Sequence, residues 1–152
     1  MSNDLLLKLE LLSDPSLLCV VRAAIGQLTE TFGFSEPECR SVTRAVDEAL
    51  TNIMKHAYRG QSGRPIEMHC RRVPGDQAEA RRGDGLEILL SDHGPAVDPS
   101  KLCGRQLDEI KPGGLGLHFI RQSMDSVEFT RTGSVNQLRL IKYLPYKQNN
   151  QS

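Results

Sequence analysis

The stretch from Val42 to Arg59, VTRAVDEALTNIMKHAYR, constrains the fold more than any other part of the chain. At about 100° per residue, Val42, Val46, Ala49, Leu50, Ile53 and Ala57 share one arc, a helix face made to be buried. Arg40, Arg44, Asp47, Thr51, Lys55 and Tyr58 lie roughly opposite, as a solvated face does. Glu48, Asn52 and His56 stand between the two, four residues apart, in a row along the rim of the apolar arc. A carboxylate, a carboxamide and an imidazole in line at the border of core and solvent suit a polyphosphate and its metal. They suit equally a helix flank that hydrogen-bonds to neighbouring loops, so the rest of the chain has to decide.

Around that helix the pattern is α+β. Leu5, Leu7, Leu9 and Leu11 alternate with Leu6, Lys8 and Glu10, a strand with one well-buried face. Ser13-Asp14-Pro15 offers a helix start, Leu17, Leu18, Val21, Ala24, Ile25 and Leu28 continue at helical spacing, and Gly33 closes the segment. Ser35, followed by Glu36, Pro37 and Glu38, caps a second helix over 36–59. Arg64 to Val73 and Leu86 to Leu90 read as strands joined by a long polar hairpin connection. Residues 101–112 read as a connection, and Leu117, Ile120 and Met124 as a third helix. Val127–Arg131 and Val135–Leu144 are two last strands about Thr132-Gly133-Ser134, and the tail from Lys147 frays. The expectation is a single domain over 5–146: a two-layer sandwich with helices on one face of a mixed, mostly antiparallel sheet.

Composition narrows the function by exclusion. Nineteen basic and nineteen acidic residues leave no formal net charge, which argues against a bulk electrostatic grip on nucleic acid or an anionic membrane. No apolar run approaches the ~20 residues of a membrane span, and the start MSNDLLLKLE lacks the pattern of a signal peptide. A cytoplasmic protein is expected. Its four cysteines form no CxxC pair and read as reduced, structural thiols.

Two further segments carry chemistry. Asp92-His93-Gly94 ends an apolar strand; a buried aspartate there needs a hydrogen-bond donor, which the exocyclic amino group of a base supplies, and Gly94 lets a flat ring approach. Gly113-Gly114-Leu115-Gly116 opens a helix, where backbone N–H groups and the helix dipole favour phosphate. With these in place, Asn52 offers an oxygen to a magnesium ion that keeps its waters. Glu48, one turn away, offers a base for an attacking hydroxyl.

Together, EALTNIMKHAY, DHGPAVDP and PGGLGLHFIRQSMD resemble the three nucleotide boxes of the GHKL ATPases, most nearly the small bacterial anti-sigma-factor serine kinases of partner-switching systems. The resemblance implies the Bergerat ATP-binding fold, with ATP and Mg²⁺ as cofactors. It implies Glu48 as general base and Asn52 as metal ligand. It gives a nucleotide-binding set of Asn52, His56, Asp92, Gly94, Lys111, Gly113, Gly114, Leu115, Gly116 and Leu117, with residues ~100–114 as a lid and Arg105 or Lys111 as its cation. Implied partners are a STAS-domain anti-anti-sigma protein, phosphorylated on serine or threonine, a sigma factor held in check, and a second copy of the chain. The alternative is an ATP-sensing interaction switch of the same fold without catalysis.

Overall fold

The computed structural model describes residues 4–75, 82–96 and 114–146. Strand β1 (Leu5–Leu12) leads through a 3₁₀ turn at Pro15–Leu17 into helix α1 (Leu18–Phe32), then α2 (Glu36–Asn52) and a π-helical turn at Ile53–Ala57. Strands β2 (Pro65–Val73) and β3 (Arg82–Asp92) follow, then α3 (Gly114–Ser123), β4 (Ser126–Thr132) and β5 (Val135–Pro145). The sheet order is β1-β2-β3-β5-β4, and all four strand pairs are antiparallel, with no parallel member. The expected α+β architecture is present, with the sheet antiparallel throughout.

Local chemistry accounts for the helix ends. The Asp14 carboxylate accepts from Ser16 N–H (2.9 Å) ahead of Pro15, and Gly33 ends α1 at φ 113°, a left-handed geometry that glycine adopts without strain. Ser35 caps α2 reciprocally. Its hydroxyl accepts from Glu38 N–H (3.4 Å), and the Glu38 carboxylate accepts from Ser35 N–H (3.1 Å). Alternate strand residues Ile66, Met68, Cys70, Leu86, Ile88 and Leu90 are fully buried against Ile25, Val42, Leu50 and Ile120 of the helices. α2 packs between α1 and α3. The leucines of β1 depart from expectation: Leu7, Leu9 and Leu11 are only half-buried and Leu5 is exposed. β1 is an edge strand, and among the described residues no further strand pairs with its outer side.

α2 departs in a way that matters for function. Tyr58 N–H donates to Ile53 O (2.9 Å), an i→i+5 bond. One extra residue per turn sets everything after it back by about 100° around the axis. Tyr58, expected on the solvated face, turns inward and is 3% exposed, whereas His56 leaves the rim and is exposed. The expected row of three is therefore a pair, Glu48 and Asn52, both half-buried.

The sheet face away from the helices holds one buried charge. Glu87, 1% exposed and second in LEILL, accepts from Arg71 Nε (2.5 Å) and Arg139 Nε (2.6 Å) on the two flanking strands. Burial pushes its carboxyl up, but the hydrogen bonds from both arginines more than reverse this and hold it below the ordinary value. A depressed folded-state pKa contributes stability above the unfolded value that is lost as pH falls through the folded one. Glu87→Gln is expected to cost about 1–3 kcal/mol at neutral pH, less than a fully buried pair because both arginines keep access to water. In urea unfolding the difference from the parent should shrink as pH falls below 4. A difference that does not change with pH refutes the ionic origin.

Cys19, Cys39 and Cys70 are free thiols, and burial pushes the Cys70 thiol up to about 12, which keeps it unreactive. Among the described residues, no helix is long and apolar enough to cross a membrane. The connection at 101–112, Cys103 and the tail from Lys147 lie outside the described residues.

Candidate nucleotide site

One end of the sheet holds the Asp92 segment of the expected site. β3 ends at Asp92, beside Asn136 of β5 and, one strand further, Arg131 of β4. The loop after β3 is tied to the end of α2. His93 N–H donates to the Tyr58 hydroxyl (2.8 Å), which itself donates to Pro65 O (2.5 Å). A Cβ on Gly94 would stand 2.8 Å from Ala57 O and 2.9 Å from Ala57 Cβ. Gly94 is thus required by its contact with the π turn, a nearer reason than the approach of a flat ring that its position in the sequence suggests. The same π turn that turns Tyr58 inward makes this junction, so the end of α2 and the Asp92 loop form one unit.

Asp92 is 4% exposed, and its Oδ1 accepts from Gly94 N–H (2.9 Å) and from Asn136 Nδ2 (2.9 Å). Both bonds that Asp92 makes among the described residues fall on that one oxygen. Oδ2 remains as an acceptor for a donor from outside.

α3 closes the third side. Asp125, just past its C-terminus, donates its N–H to Ile141 O (2.9 Å), level with Glu87 on β3. That is five residues, or ~17 Å, back along β3 from Asp92. A ten-residue helix covers ~15 Å, about the length of that stretch of β3. Phe119 of α3 lies under the Arg44 guanidinium of α2, 4.2 Å from its ring centre. Glu48 and Asn52 follow Arg44 by one and two helical turns along the same edge of α2.

Of the residues singled out in the sequence, Asp92 and Gly94 are brought against the end of the helical segment that carries Glu48 and Asn52. Leu117 puts its side chain in the core, 7% exposed, and His56 points to solvent. Lys111, Gly113, Arg105 and the lid at 100–114 (up to Gly114) lie outside the described residues. Among the described residues, no three His, Cys, Asp or Glu side chains converge that could hold a metal by themselves. Magnesium fits such a site, since it needs one or two protein oxygens and takes the remainder from phosphates and water. Asn52, with no hydrogen-bond partner for its carboxamide among the described residues, is the available oxygen.

Residues 11–142 match the histidine kinase-like ATPase domain, HATPase_c_2. The chain belongs to the histidine kinase-like ATPase family. Within that ATPase family it is similar to the serine-protein kinase RsbW of Bacillus pumilus, 26% identical over 147 residues that cover 91% of this chain and 86% of the relative. It is also similar to the serine/threonine-protein kinase BtrW of Bordetella bronchiseptica, 33% identical over 107 residues, 68% of this chain and 69% of that one. A chain in the crystal structure of the SiaB–SiaC complex of Pseudomonas aeruginosa superposes with a TM-score of 0.61 over 91% of this chain and 89% of its own. At 14% identity that likeness shows the histidine kinase-like fold alone.

Sequence reasoning missed Asn136 and Arg131. Each is an ordinary polar residue near a hairpin turn, and only the pairing register sets them beside Asp92. It also missed Tyr58 as the tie between α2 and the loop, because a regular helical period sends that side chain outward.

Proposed function

We propose that the protein is an ATP-dependent serine/threonine protein kinase that phosphorylates a STAS-domain anti-anti-sigma protein and, in its other state, sequesters a sigma factor. The observation that supports this reading is the tie between the Asp92–Gly94 loop and the end of the helical segment that carries Glu48 and Asn52, in a chain similar to named serine kinases.

In this reading Asp92 accepts from the adenine amino group, with Gly94 holding the loop against the end of α2. The N–H groups at Gly114, Leu115 and Gly116 receive phosphate oxygens, helped by the partial positive charge of the helix terminus. Asn52 would hold Mg²⁺, a cation that would supply neutralising charge to the phosphates. Glu48 takes the proton from the attacking hydroxyl of the partner's serine or threonine. Positioning and charge neutralisation supply most of the acceleration in such transfers, so the chain's main task is to hold these groups still. Incubating the protein with γ-labelled ATP and a STAS-domain partner should move label to that partner's serine or threonine. ATP binding without any transfer would leave the interaction switch as the function.

The reading includes a homodimer through β1. Ser13 N–H donates to Arg64 O, and the pairs Leu11–Ile66 and Leu9–Met68 follow at alternate positions. The backbone groups of Lys8, Glu10 and Leu12 therefore point away from β2, and the pairing shifts register between Leu5 and Leu7. Two copies of β1 laid antiparallel about Leu9 put Lys8 opposite Glu10 of the other copy, twice, and Leu6 opposite Leu12, side chains that are 43% and 53% exposed. Centring on Lys8 or on Glu10 sets like charges face to face. Lys8→Glu is expected to weaken self-association by roughly 10-fold, and Lys8→Glu with Glu10→Lys to restore it, as read by sedimentation equilibrium. A double variant as weak as the single one refutes this register.

A further inference from the structure

Arg131, Asn136 and Asp92 form a row across three neighbouring strands at the nucleotide end of the sheet. Asn136 is 1% exposed. Its Nδ2 faces three oxygens: Asp92 Oδ1 at 2.9 Å, Pro95 O at 3.1 Å and Gly94 O at 3.2 Å. Its Oδ1 accepts from Arg131 Nη1 at 2.7 Å, and the same nitrogen donates to Gly94 O at 3.1 Å. Turning the amide over would set an oxygen against three oxygens and an NH₂ against a guanidinium, with no bond made on either side. Arg131 and the three oxygens therefore together fix which way the Asn136 amide points. The amide in turn dictates that Asp92 Oδ1 is an acceptor, already taken by two donors, so that Oδ2 is left to accept from a ligand.

We propose that Arg131 and Asn136 are positioning residues that set base selectivity, keeping Asp92 an acceptor so that a purine with an amino group at C6 is taken and one with a carbonyl there is refused. This rests on the reading that Asp92 meets the base. Neither residue touches the ligand in this account. A 6-oxo purine sets its carbonyl oxygen against the free carboxylate oxygen, and nothing can donate between them. Without the guanidinium, the Asn136 amide keeps its Nδ2 against the three oxygens but loses the partner of its own oxygen. The carboxylate that the amide steadies is then held less firmly, and the bond from a 6-amino group to Oδ2 weakens, whereas a 6-oxo purine, which makes no such bond, loses nothing.

The test is a calorimetric comparison of ATP with ITP, nucleotides that differ at the 6-position and in the proton that the 6-oxo base carries on N1. The parent protein should prefer ATP by ~10–100-fold, the worth of one charge-assisted hydrogen bond against an unmet one. In Arg131→Met that preference should shrink at least 10-fold, by weaker ATP binding with ITP binding unchanged, and Arg131→Lys should recover most of it. Arg131 is an exposed side chain on an edge strand, and should Arg131→Met lose its fold, Arg131→Gln offers the same comparison. If Arg131→Met weakens both nucleotides equally and leaves the ratio untouched, the arginine is structural and the proposal is overturned while the base reading stands. Equal binding of ATP and ITP by the parent protein would overturn the base reading itself, and this proposal with it.

Discussion

Asn52→Ala should lower the affinity for ATP in the presence of Mg²⁺ by roughly 100-fold or more, about 3 kcal/mol. Asn52 ends α2 immediately before the π turn, half-buried, with no protein partner for its carboxamide among the described residues. Nor, among those residues, does any cluster of acidic or histidine side chains offer the metal an alternative seat. A metal held by one protein oxygen, water and phosphates loses its only link to the chain when that oxygen goes. The substitution is conformationally gentle, since alanine is the best helix former and no hydrogen bond to a described residue is broken. Calorimetry should therefore show a folded protein whose weak ATP binding no longer responds to EDTA, whereas EDTA weakens binding by the parent. Undiminished affinity in the variant refutes the metal assignment.

Glu48→Gln should leave ATP affinity within about threefold and slow phosphoryl transfer by ~10²–10⁴, the usual worth of a positioned base. Glutamine has nearly the same shape and keeps the position one turn before Asn52, so packing against α3 is undisturbed. What it lacks is the capacity to take a proton. The effect should lie in kcat with KM for ATP unchanged, because the lost interaction belongs to the transition state alone. Full transfer by the variant would make Glu48 a structural residue and would leave the transfer to positioning and charge alone.

The sequence disclosed those parts of the fold that are decided by near neighbours. The Ser35–Glu38 capping box, the left-handed Gly33 and the alternation of Ile66, Met68 and Cys70 each depend on side chains a few positions apart, and each is where its pattern indicated. What stayed hidden depends on partners distant in the chain. Glu87 is an unwelcome charge in an apolar strand until Arg71 and Arg139 are known to flank it. Asn136 and Arg131 acquire meaning only through the register of β3, β5 and β4. The half-exposed leucines of β1 reflect a place at the edge of the sheet, which alternation cannot report. The segments of the candidate site were legible as three separate motifs. Their physical connection was not, because it runs through Tyr58 and Ala57 in a turn that breaks the helical period.

That turn gives a stretch of chain a counted length. From Ile53 to Ala57 the backbone is held open from outside, by a glycine pressed against Ala57 and by a phenol reaching two strands, and little in its own residues asks for the wider coil. Excising one residue there would let the coil tighten into a regular and intrinsically better helix. It would also swing the phenol out to water and release the strand end it holds. Natural variation at this point should therefore proceed by exchange of side chains and hardly ever by loss or gain of a residue, even though the segment borders solvent, where changes in length are ordinarily tolerated.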